Sequence, residues 1–206
     1  STDFLPKGDM TILDLDQPVP NANDPRSVLR VASPTEFQNF ASANDQVRVV
    51  GHGQAVPDGN SENGLKEADL DVVGDSDCES AYANTPYGPF SIFADDQICA
   101  KSQAASPADS SCHGDSGGPL IANVDPAAAS PDWRLVGTVS GGLECSTRSW
   151  PNVYAQVDGH QDFLASASAT YKPDPVIEPT VEGTPRVGET LRCNPGTWRH
   201  NPSLSY

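Results

Sequence analysis

The chain has 206 residues, 36% of them hydrophobic, and carries 12 Lys and Arg against 28 Asp and Glu, a formal net charge of −16. That length holds one or two domains with a sizeable buried core. That acidity argues against nucleic acid or an anionic membrane as partner, and for a soluble, self-repelling surface.

Seventeen glycines and 19 prolines, with little helical periodicity, point to an all-β fold rich in turns. No apolar run reaches membrane-spanning length, and no signal-peptide pattern opens the chain. Five cysteines are present: Cys78, Cys99, Cys112, Cys145 and Cys193. None sits in a C-x-x-C pair, which argues against a metal site, zinc above all. The odd count leaves one cysteine in search of a partner.

In chain order, Gly8 to Leu15 is a short strand pattern that opens with Asp9. Taken alone, Asp9 reads as a turn aspartate before a strand. Asp14 and Asp16 fall within or after that strand. Residues 20–46 are rich in Asn, Asp, Pro and Ser, with one apolar island at Val28–Val31. Val47 to Gly53 is a strand ending in Gly51-His52-Gly53. Leu65–Val73 alternates and then turns apolar, a second strand. Asp75–Ala83 fits a short helix capped by Asp75 or Ser76.

Asp109–Leu120 reads D-S-S-C-H-G-D-S-G-G-P-L. Glycines around Ser116 remove Cβ atoms, so a second backbone can approach and positive φ carries no steric penalty. A nucleophilic serine needs that setting: an accessible Oγ with backbone N–H groups beside it. The plain alternative is a Gly/Ser-rich surface turn. Trp133 to Gly142 is a strand ending in a glycine pair. After Thr170 the composition shifts, and 171–175 reads as a stiff Pro-rich linker.

The stretch Gly114–Leu120 resembles the nucleophile loop of the chymotrypsin/trypsin-like serine endopeptidases, of the bacterial, secreted type. The resemblance implies a chymotrypsin-like double β-barrel. Here it covers a remnant of the first barrel and the crossing (1–46), then the second barrel with a short C-terminal helix (47–170). Phe163 and Leu164 would form that helix's apolar side. Residues 176–206 resemble the start of a bacterial immunoglobulin-like β-module, the alternative being a disordered tail. The partner of Cys193 would then lie beyond Tyr206.

The resemblance also implies roles. Ser116 is the nucleophile and Asp9 the triad acid that orients an imidazole. Gly114 and Ser116 supply the oxyanion hole. Asp115 pairs with a newly cut N-terminal ammonium. Ser110, Ser111, His113, Ser140, Gly141, Gly142 and Asn152 line the substrate pocket, with Ser110 as a neutral floor. The disulfides are Cys78–Cys99 and Cys112–Cys145. Gly141 stands where the family carries an aromatic, which widens the adjacent subsite. His52 stands where the family carries tryptophan and reads as a structural residue.

None of the four histidines takes the family's catalytic place. His113 rims the pocket, and His160 and His200 read as solvated residues. The base is expected upstream of Asp9, so the chain reads as an inactive fragment lacking the N-terminal half of the protease domain. The expected partner is a peptide or protein substrate, with no cofactor and no nucleic acid. The expected location is secreted or at the cell surface, with wall contact through the Ig-like module. The competing readings are a protease-like, non-catalytic binding protein and a cell-surface adhesion module.

Overall fold

The computed structural model describes residues 5–13, 15, 19, 28–39, 42, 44–56, 59–61, 63–102, 109–145, 149–170, 175–177, 180–183, 186 and 190–198. The chain divides into two compact units, one of residues 1–11 and 29–161 and another of residues 12–28 and 162–206.

The first unit is built on β1 (Arg30–Val31), β2 (Gln46–Gly51), β3 (Lys66–Val73), β4 (Gln97–Ser102), β5 (Pro119–Asn123), β6 (Trp133–Gly141) and β7 (Asn152–Gln156). The strands follow the order β1-β6-β5-β2-β3-β4-β7, and β6 also pairs with β7. Six antiparallel strands therefore close into a barrel, and β1 runs parallel to β6 outside it. Closure leaves those six strands no free edge. The strands alternate as a barrel requires. Val47, Val49, Leu70, Val72, Leu120, Ala122 and Val136 are buried, while Arg48, Asp69 and Glu67 form an exposed ion cluster on the outer face.

Among the described residues two short α-helices brace this unit. α1 (Pro34–Gln38) starts with a capping box: Ser33 accepts from the Glu36 N–H, and Glu36 accepts from Ser33. Glu36 also pairs with Arg134 on β6, which is almost fully buried. α1 lies within 20–46, a polar stretch with no helical pattern in its composition. α2 spans Asp75–Ala83 as the sequence suggests, but its cap is Gly74 with no side-chain bond. Asp75 and Asp77 lie inside the first turn, where negative charge suits the helix dipole. Cys78 of α2 bonds Cys99 of β4, and Cys112 bonds Cys145, the two expected pairs.

The expected strand at 8–15 does not form over its described residues. Residues 5–8 make a bend and a turn, and 9–13 are irregular, because no strand among the described residues pairs with them. Leu13 and Leu15 are exposed. Asp14 and Asp16 lie outside the described residues, as do Pro18 and His200.

Among the described residues the second unit holds α3 (Gln161–Thr170) from its second residue on, and four short strands. β8 (Pro175–Ile177) pairs antiparallel with β11 (Thr197–Trp198). β9 (Thr180–Glu182) pairs antiparallel with β10 (Arg192–Asn194). Phe163, expected on the apolar side of α3, is 40% exposed. Cys193 on β10 is exposed and free. No helix among the described residues is long and apolar enough to cross a membrane.

Candidate active site

The glycine-rich stretch folds as two consecutive turns between β4 and β5. The Asp115 N–H donates to the Cys112 carbonyl at 3.0 Å, and the Gly118 N–H to the Asp115 carbonyl at 2.8 Å. Gly114 and Gly117 hold the third position of each turn, with φ of +97° and +76°. Only glycine takes that left-handed backbone without strain. Ser116 is left at the second position of the second turn, exposed. Gly117 and Gly118 then tie to Val139 of β6 by bonds of 2.8 and 2.9 Å. Among the described residues nothing accepts from the N–H groups of Gly114 or Ser116.

Asp115 turns inward from this loop. Its carboxylate accepts from the Gly53 N–H at 2.7 Å and the Cys112 N–H at 2.9 Å. A Cβ on Gly51 or Gly53 would come within 1.9 or 2.5 Å of that carboxyl group. Both glycines flanking His52 are thus demanded by a residue more than sixty positions away. His52 itself is exposed.

Ser116 opens on a cavity of about 190 Å³ that Ser111, His113, Ser140, Gly141, Gly142 and Asn152 also line. Six of the seven expected pocket residues are therefore brought together. Ser110 is not among them. It lines a separate cavity of about 160 Å³ with Asp109, Asp115, Gly51, Gly53 and Lys66. The wall of the first cavity is fixed by buried polar groups. Asn152 is buried, and its amide donates to the Ser111 carbonyl at 3.4 Å. It also packs on Gly142, where a Cβ would lie 2.6 Å from Nδ2. The Ser111 hydroxyl meets the Tyr154 hydroxyl at 3.2 Å, and burial pushes the Tyr154 pKa well up.

Asp9 reaches the same cavity through Ser140, whose hydroxyl donates to Asp9 Oδ2 at 2.7 Å. The space beside Gly141 is not empty. Leu5, 1% exposed, puts its Cδ2 2.8 Å from where a Gly141 Cβ would stand. A side chain from 136 positions earlier thus fills the place of the missing aromatic, where a wider subsite was expected. No local pattern announced it.

His113 is exposed on the cavity rim. His160 is not solvated as expected; it is 15% exposed and lies against Asp96. Among the described residues no group of three His, Cys, Asp or Glu is placed to hold a metal ion.

The trypsin family profile matches residues 2–164. Trypsin zeta of Drosophila erecta is 30% identical over 149 residues, covering 72% of this chain and 47% of that protein. Transmembrane protease serine 11E of Mus musculus is 29% identical over 158 residues, 77% of this chain and 34% of that protein. Trypsin alpha-4 of Lucilia cuprina is 34% identical over 122 residues, 59% of this chain and 41% of that protein. The chain thus spans less than half the length of each of these three relatives. With a closed six-strand barrel, both expected disulfides and a match over 2–164, the chain belongs to the trypsin family.

Proposed function

We propose that this chain carries the nucleophile side of a serine endopeptidase active site. One observation carries the reading. Ser116 is exposed at the apex of a glycine turn, on one cavity with Ser140, and the Ser140 hydroxyl is bonded to Asp9. An imidazole bridging Ser116 and Asp9 would take the serine proton and pass it to the leaving amine. Asp9 would hold its tautomer and stabilise the imidazolium, with Ser140 fixing the carboxylate from behind. His52 is exposed, His113 is exposed on the cavity rim, and His160 is half-buried against Asp96. In this reading the base is an imidazole other than these three.

Gly114 and Ser116 offer N–H groups to the oxyanion, and loss of one such donor costs about 10²–10³ in rate. Asp115 is the acid for a cut N-terminal ammonium. The cavity beside it, lined by Gly51, Gly53 and Asp109, is where such a group would enter. The wall of the substrate cavity is uncharged around Asn152 and Ser111 and carries the exposed Glu144 elsewhere, which suits an uncharged side chain before the scissile bond and disfavours an acidic one. Two disulfides and the acidic surface fit an extracellular setting. The four short strands after α3 fit the opening of an immunoglobulin-like module at a cell surface.

The test is a fluorophosphonate probe on the full-length protein, with the adduct mapped by mass spectrometry. The adduct is expected on Ser116 and absent from Ser116→Ala. A protein that stays unlabelled while folded is a protease-like binder, and the hydrolase reading ends there.

A further inference from the structure

Asp9 sits at a turn that has almost no structure of its own. Among the described residues no strand pairs with 5–13. Gly8 is left-handed, with φ of +70°, and its carbonyl accepts from the Met10 N–H at 2.7 Å across Asp9. A glycine in that conformation offers its neighbours only its backbone. Its N–H donates to Asp96 Oδ2 at 2.8 Å.

Asp96 is a buried carboxylate, 5% exposed at the side chain. Its N–H donates to the Phe93 carbonyl at 2.9 Å, and its carbonyl accepts from the Gln156 N–H at 2.8 Å. Gly159 backs it so closely that a Cβ there would lie 2.3 Å from the Asp95 carbonyl oxygen. The Asp96 main chain is thus held by β7 and backed by the 3₁₀ turn Asp158–His160. A buried charge needs partners on both oxygens. Oδ2 has Gly8. Oδ1 faces His160 Nε2 at 3.1 Å, outside hydrogen-bonding alignment, and this nitrogen has no hydrogen-bond partner among the described residues. The same ring borders Gly8, 3.9 Å from where a Gly8 Cβ would be.

We infer that Asp96 and His160 are positioning residues for the active site. Asp96 pins the Gly8 amide, His160 stands against its other oxygen, and through Gly8 they hold the Asp9 carboxylate where Ser140 meets it. This rests on the reading of Asp9 as the triad acid. The neighbouring contacts are weaker. Lys7 pairs with Asp95 at 3.1 Å in solvent, where an ion pair contributes little. Gln97 Nε2 reaches the Pro6 carbonyl at 3.2 Å, two residues short of Gly8. The Asp96–Gly8 bond joins a buried charge to the residue next to Asp9, and it dominates.

Two readouts on the full-length protein test this. The first is amide hydrogen exchange by NMR. Asp96→Ala is expected to speed exchange at Gly8 about tenfold, the size of one lost charge-assisted hydrogen bond, with Val49 and Leu70 in the barrel unchanged. The second is peptide hydrolysis. The same variant is expected to lose about tenfold in kcat with KM nearly constant, because a misplaced acid affects the reaction and not binding. Asp96→Asn keeps an acceptor for Gly8 and is expected to recover most of both. If Asp96→Ala fails to fold, His160→Phe is read the same way. Unchanged exchange at Gly8, unchanged kcat, or an Asn variant as poor as Ala overturns the inference. A wild type that exchanges as expected but hydrolyses nothing sinks the hydrolase reading instead, and the exchange result alone then judges the clamp.

Discussion

Gly53 shows how tightly a single atom is excluded near Ser116. A methyl group there would have to displace the Asp115 carboxyl, which now accepts the Gly53 N–H at 2.7 Å. Gly53→Ala is expected to cost about 1–3 kcal/mol in stability, measured by urea denaturation, because the close packing has no slack. It is also expected to slow labelling of Ser116, since Asp115 precedes it directly. The sequence makes Ser116 and Asp115 legible, because the glycines that shape their turns are adjacent to them. It says little about Leu5 filling the gap at Gly141, or about Asp96 holding Gly8. Those partners are 136 and 88 positions apart, and no periodicity links residues at such distances.

At the scale of elements, α1 and β6 are joined by charge. Backbone and hydroxyl bonds from Ser33, then the Arg134 guanidinium, hold the Glu36 carboxyl below its usual range. A carboxyl depressed in the folded state adds stability above its unfolded pKa, about 4.3, and loses it as pH falls through the folded value. The urea midpoint is therefore expected to drop more steeply below about pH 4 in the wild type than in Glu36→Gln. Equal slopes would contradict this role for Glu36. Ser33→Ala, which removes the cap, is expected to cost about 1 kcal/mol at neutral pH.

Five residues are too few for a helical period to show, which is why α1 hides in a polar stretch. The Ser33-Pro34 start with Glu36 three positions on was its visible sign. The segment after Asp9 fails in the other direction. It has strand composition, but a strand exists only where another strand receives its hydrogen bonds.

For the whole molecule, the pairing of β6 with β7 closes the barrel and brings Ser140 and Asn152 to one cavity. Alternation along each strand is readable from sequence; which strand closes on which is not, and here it came from the family resemblance. The Cys112–Cys145 disulfide joins two stretches of the cavity wall, 33 positions apart in sequence. Replacing both cysteines by alanine is expected to cost about 2–5 kcal/mol, measured by calorimetry, by freeing the unfolded chain. Turnover is expected to fall as well, because Ser111 and Gly142 lose their common tether.

The link from Asp9 through Ser140 to the cavity of Ser116 is the centre of the proposed reaction, and one kinetic measurement reaches it directly. Asp9→Asn in the full-length protein keeps the shape of the side chain and removes its charge. Peptide hydrolysis should then fall about 10⁴-fold in kcat, the general magnitude for a triad aspartate in this family, with KM little changed. An asparagine variant that turns over as fast as the wild type would show that Asp9 is a turn residue and that the triad lies elsewhere.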